Sequence, residues 1–122
     1  MQYSILLKAK LHMARVTEAV QDYEGSLTID RDLMDAVKIA PYEKILVANV
    51  ENGNRFETYA IPGERGSGII GLNGATVHQG NVGDRIIVFT FCLVPTDEIP
   101  VHKPLVLVLD EHNRPVGGLK EI

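Results

Sequence analysis

Lys44-Ile45-Leu46-Val47-Ala48-Asn49-Val50, then Glu51-Asn52-Gly53-Asn54, then Arg55-Phe56-Glu57-Thr58-Tyr59-Ala60-Ile61, is a strand, a turn and a second strand. Asn52-Gly53 is the strongest short hairpin signal, because both residues accept the positive φ angles of a tight two-residue turn. The hairpin places Arg55, Thr58 and Tyr59 on one rigid element. Adjacent residues of a regular strand face opposite sides. Thr58 and Tyr59 can therefore serve one site only if the strand bends or if the site lies between two subunits.

Working outward, the chain repeats this alternation of short strands and glycine-rich turns. Upstream, Ile5 to Val16 alternates, with Ala9, Leu11 and Met13 on one face and Lys8, Lys10 and His12 on the other. On that pattern Lys8 and Lys10 form a solvated strand face. His12 is expected to make a structural hydrogen bond and not to ligate a metal, since no second histidine or cysteine stands at ligand spacing. Asp30 can cap a helix running to about Ile39, with Leu33, Met34 and Val37 at helical spacing as core and Pro41 just beyond its end. Downstream, Pro62 to Gly68 is a loop that matches neither a phosphate-binding nor a dinucleotide-binding glycine pattern. Ile69 to Leu72, Arg85 to Val94 and Leu105 to Leu109 are strands, and Asn73-Gly74 is a turn. Seven or so strands with one or two short helices predict a mainly β fold, a small closed barrel whose pocket lies at its rim or between subunits.

With 122 residues, 45% apolar and 23% charged, the chain is one globular domain. A net charge of -4 gives no basic field for nucleic acid, so an anionic substrate has to be held by local cations. Cys92, the single cysteine, lies in an apolar run and reads as a small packed hydrophobe. The absence of a leader-like run and of any membrane-length span predicts a cytoplasmic protein with no membrane partner.

Tyr23-Glu24-Gly25-Ser26 taken alone is a turn. Its company alters that reading: Lys10 and His12 lie upstream, Arg55, Thr58 and Tyr59 follow one tight turn, and Asn73-Gly74-Ala75 follows another. A nucleophile, cations, phenols and backbone donors are thus assembled around Gly25-Ser26. They mark it as a place where the chain cuts itself and makes its own cofactor. The Ser26 hydroxyl would attack the preceding carbonyl, with glycine easing the backbone conformation and Thr58 or an amide steadying the oxyanion. Elimination of the resulting ester leaves Gly25 as a new C-terminus and a dehydroalanine that hydrolyses to a pyruvoyl group and ammonia.

Lys10-Leu11-His12 with Val16-Thr17, Tyr23-Glu24-Gly25-Ser26, Asn52-Gly53 with Arg55, Thr58-Tyr59-Ala60-Ile61, Glu64-Arg65-Gly66-Ser67 and Asn73-Gly74-Ala75 occur in an order that resembles the aspartate 1-decarboxylase family. These are pyruvoyl-dependent enzymes that make β-alanine and carbon dioxide from L-aspartate, feeding pantothenate and coenzyme A biosynthesis. The resemblance implies a double-psi β-barrel assembled as a homotetramer, with active sites between neighbouring subunits. It implies autocatalytic cleavage between Gly25 and Ser26 into a short N-terminal β chain and a longer C-terminal α chain. By the same resemblance Ser26 becomes the pyruvoyl group that takes the substrate amine as a Schiff base, and Tyr59 is the proton donor. Lys10 and Arg55 hold the substrate carboxylates. Thr58 assists maturation and, with Gly74, Ala75 and Thr76, contacts substrate; His12, Tyr23 and Asn73 support the pocket. No metal is implied, and whether a partner protein triggers maturation is left open.

The chain departs from the family in three places. Thr76 stands where many members carry alanine, Ala48 where many carry an aromatic residue, and Phe91 to Val101 is unlike them. The added Thr76 hydroxyl is expected to alter substrate contact, and the other two to alter packing and the subunit interface. Two rival readings accompany this one: a ligand- or peptide-binding barrel in which Gly25-Ser26 is only a turn, and a pyruvoyl decarboxylase acting on another amino acid.

Overall fold

A computed structural model of the chain describes residues 1–121. The strands are β1 (Tyr3–Arg15), β2 (Glu18–Val20), β3 (Ser26–Asp30), β4 (Lys44–Asn49), β5 (Arg55–Gly63), β6 (Ile70–Asn73), β7 (Arg85–Pro95) and β8 (Leu105–Val108). One α-helix, α1 (Arg31–Val37), follows β3, and 3-10 turns occupy Gly74–Gln79 and Thr96–Val101. The helical segments are therefore three, where the sequence suggested one or two. The extra ones are 3-10 segments of six residues each, too short to show periodicity.

All eight strands belong to one mixed sheet in the order β2-β6-β3-β5-β4-β7-β1-β8. The pairs β1/β8, β2/β6 and β3/β5 are parallel, and the remaining ladders are antiparallel. Strand β1 lies beside one edge of this order and β2 forms the other, although only residues 16 and 17 separate them in sequence. The sheet must curl to bring its edges so near. Among the described residues, however, no ladder joins β8 to β2, so strand pairing does not close the expected ring. At the crossing, single bonds replace a ladder: Val16 N–H donates to the Asp84 carbonyl at 2.9 Å and Thr17 N–H to that of Ile70 at 2.8 Å.

The concave side is filled by Leu11, Leu27, Ile29, Met34, Ile45, Ile70, Leu72, Ile86 and Val88, all fully or almost fully buried. Each such side chain contributes roughly 1.5–3 kcal/mol by leaving water. In β1 the alternation predicted from sequence breaks. The register with β7 shifts between Leu7 and Ala9 and again between Leu11 and Ala14, and Met13 adopts φ 65°. This bulge turns Met13 out of the core, and Ala14 takes the buried position instead. Lys8 is not a free surface cation either, since its ammonium donates to Glu43 at 2.8 Å.

Helix α1 begins as expected, with the Asp30 carboxylate accepting from the Asp32 amide at 2.9 Å. It ends at Lys38, whose φ of 60° is left-handed, just ahead of Pro41. Asp30 also accepts from the amides of Gly66 and Gly68, at 3.1 and 2.9 Å. The loop between β5 and β6 thus uses its amides to hold a carboxylate of the protein itself. Cys92 is half-buried between the exposed Phe91 and Leu93, and so is only partly the packed hydrophobe expected. No helix among the described residues is long and apolar enough to cross a membrane.

Candidate active site

Ser26 is the first residue of β3, and three neighbouring segments surround it. In the ladder with β6 it stands opposite Asn73. In the parallel ladder with β5 it and Tyr59 are the residues just before the first pair, Leu27 with Ala60. The preceding segment from Tyr23 to Gly25 is exposed, whereas Ser26 is fully buried. The chain therefore enters the core at the Gly25-Ser26 peptide.

A buried hydroxyl needs partners, and Asn73 supplies one: its Nδ2 donates to Ser26 Oγ at 3.0 Å and to Thr28 Oγ1 at 2.8 Å. Because Ser26 Oγ accepts from Asn73, its own proton is left to point elsewhere. Thr28 was not among the residues singled out from sequence, although its place two residues after Ser26 on a strand puts it on the same face. The Thr76 hydroxyl is buried and donates to the carbonyls of Asn73 at 2.7 Å and Ser26 at 3.3 Å. The hydroxyl that distinguishes Thr76 from alanine is thus directed at backbone; Ala75 beside it is exposed.

The steric demand in this cluster falls on Gly74. It has φ 59°, and a Cβ there would lie 2.8 Å from the Tyr23 carbonyl oxygen and 2.9 Å from the Gly25 backbone. Any side chain at Gly74 would push the Tyr23 to Gly25 segment away. Gly25 itself is not at positive φ, and a Cβ on it would meet nothing within 4 Å. In the uncut chain, therefore, neither a left-handed backbone nor crowding calls for glycine at that position.

Strand β5 alternates without a break. Arg55, Glu57 and Tyr59 are exposed on one face, while Thr58 is half-buried on the other. Tyr59 and Thr58 therefore diverge, as a regular strand requires. Arg55 lies opposite the small, buried Ala48, and Lys44 beside Tyr59 pairs with Glu57 at 2.9 Å.

No hydrogen bond or pocket among the described residues joins Lys10 or His12 on β1 to Ser26 on β3. The two β1 residues line a separate pocket of about 230 Å³ with Val106, Val108 and Lys120. The Lys10 ammonium sits 5.7 Å from the centre of the Phe89 ring. His12 Nδ1 is buried with no hydrogen-bond partner among the described residues, so the structural hydrogen bond expected of it is not made at that atom. Burial first, and then the charges of Lys10 and Lys120, hold the His12 pKa below the ordinary histidine value. Sequence reasoning missed Phe89, a strand residue like its neighbours, and Lys120, which lies in a polar tail without periodicity.

The sequence that folds this way is similar to known proteins. The aspartate decarboxylase family model covers residues 1–116. Aspartate 1-decarboxylase of Syntrophobacter fumaroxidans is 55% identical over 95% of this chain and 94% of its own length. That of Tolumonas auensis is 52% identical over 97% and 94%, and that of Desulfotalea psychrophila 54% identical over 88% and 91%. The chain belongs to the aspartate decarboxylase family.

Proposed function

We propose that this chain is a self-processing decarboxylase that converts L-aspartate to β-alanine and carbon dioxide, its pyruvoyl group derived from Ser26. The reading rests above all on the junction at Gly25-Ser26. A buried serine hydroxyl oriented by Asn73 follows an exposed segment that packs on a glycine, in a chain whose relatives are named aspartate 1-decarboxylases. Cleavage there leaves residues 1–25 as the β chain and residues 26–122 as the α chain. The pyruvoyl group supplies an electron sink for the pair left behind when the α-carboxylate departs.

The residues of the chain then have plain tasks. The Arg55 guanidinium fits a carboxylate with two parallel bonds, Lys10 adds a point charge, and the Tyr59 phenol can give its proton to the carbon that has lost carbon dioxide. Thr58 assists maturation, and the Gly74 to Thr76 segment walls the pocket. Lys10 lines a pocket that does not include Ser26, and Thr58 and Tyr59 face opposite ways, which supports a site shared between copies. In that arrangement one copy provides Ser26 and its Asn73 wall, and a neighbour provides Lys10. An exposed apolar strip suits such an assembly: Ile5 pairs with Leu93 and Leu7 with Phe91 across β1 and β7, beside exposed Tyr3. We take the assembly to be a homotetramer and the curled sheet to be the double-psi barrel of the family.

The test is a decarboxylation assay on L-aspartate, L-glutamate and neutral amino acids with the wild-type chain and Ser26→Ala. The expected result is β-alanine formation from aspartate by the wild type alone. Turnover by Ser26→Ala would remove the pyruvoyl mechanism, and preference for another amino acid would reassign the substrate.

A further inference from the structure

The polar tail after β8 does not trail into solvent. The Lys120 amide donates to the Val106 carbonyl at 2.8 Å, and the two residues pair as an antiparallel bridge. Val106 in turn pairs with Lys10 in the parallel ladder of β1 and β8. Lys10, Val106 and Lys120 therefore stand side by side on three adjacent backbones. Side chains of residues in cross-strand register project from the same face of a sheet. Two strand spacings of about 4.8 Å separate the backbones of the two lysines by about 10 Å. The Lys10 ammonium rests over Phe89 on the β7 side of β1, 5.7 Å from the ring centre, and its four-carbon stem is long enough to swing back over Val106 toward Lys120. His12 lies two residues from Lys10, hence on the same face, and Val108 is its partner in the ladder.

The pocket is lined by two lysines and His12, whose Nδ1 is buried without a partner, and among the described residues no carboxylate lines it. Like charges so placed repel one another, and an anion between them converts the repulsion into attraction. We propose that Lys120 is a second cation for the carboxylate that Lys10 receives, so that the tail completes the binding site for a dicarboxylic substrate. The assignment rests on the reading of Lys10 as a carboxylate anchor given above. Lys120 takes no part in bond breaking. The carboxylate assigned to the two lysines is the side-chain one, which the reaction keeps, so Lys120 changes binding and not the chemical step.

Lys120→Gln keeps the backbone amide that forms the bridge and removes only the charge. The expected outcome is a KM for L-aspartate raised about tenfold with kcat changed less than about twofold. Lys120→Arg should restore a low KM, whereas a merely structural lysine would not produce that split or that rescue. Calorimetric titration of the same proteins with succinate gives a readout independent of turnover, and the glutamine variant should bind it about tenfold more weakly. If the wild type decarboxylates aspartate and Lys120→Gln leaves both KM and succinate affinity unchanged, the assignment of Lys120 is overturned. If the wild type does not act on aspartate, the proposed function fails, and the succinate titration alone decides whether Lys120 binds a dicarboxylate.

Discussion

At the scale of single residues, Gly74 and His12 carry the clearest consequences. A methyl group at Gly74 would sit 2.8–2.9 Å from the Tyr23 and Gly25 backbone and force an alanine into φ 59°. Gly74→Ala should cost about 1–3 kcal/mol of strain and displace the segment to be cleaved. Thermal unfolding and the rate of chain cleavage check this; normal cleavage at wild-type stability would show that the close approach has no role. The His12 ring should titrate below 6.5 in a nuclear magnetic resonance pH series. Because the folded-state value is depressed, the stability this residue contributes is complete above pH 6.5 and is lost as pH falls through the folded value. Lys10→Gln should raise that value only in part, since burial is the larger cause. A His12 pKa at or above 6.5 in the wild type, or one unmoved by Lys10→Gln, would contradict the description of its pocket.

At the scale of elements, Asp30 links the end of β3, the start of α1 and the loop before β6 through three backbone amides. Asp30→Ala strips all three of their acceptor, and the Gly68 bond is buried. A loss of about 3 kcal/mol is expected, summing a lost helix cap and the unmade bonds. It would appear as a lower denaturant midpoint at unchanged slope, and an unchanged midpoint would refute it. This helix cap was legible in sequence, as were the β4/β5 hairpin and the core face of α1, because each follows from local chemistry within a few residues. The bulge in β1 was not legible, since alternation continues through Met13 and the shift depends on register with β7. Asn73 could be placed near Ser26 only by resemblance, because the contact spans the ladder between β3 and β6. The pairing of Lys120 with Val106 left no trace in composition or spacing. A single bridge between a polar tail and an edge strand needs no hydrophobic pattern to form.

At the scale of the whole molecule, the proposed shared site is consistent with the exposed strip of Tyr3, Ile5, Phe91 and Leu93 and with a Lys10 pocket that does not include Ser26. Leu93→Lys places a charge in that strip; if the proposed tetramer shares its sites between copies, sedimentation should shift toward smaller species and activity should fall in parallel. A monomeric wild type, or an active monomeric variant, would show that one chain holds a complete site. In the proposed function the chain converts its own Ser26 into the catalytic carbonyl. The most direct measurement is the intact mass of the purified protein under denaturing conditions. Two polypeptides are expected, residues 1–25 and residues 26–122, the larger one lighter than its serine form by the mass of ammonia and blocked at its N-terminus. A single uncleaved chain of 122 residues that nevertheless decarboxylates aspartate would contradict it.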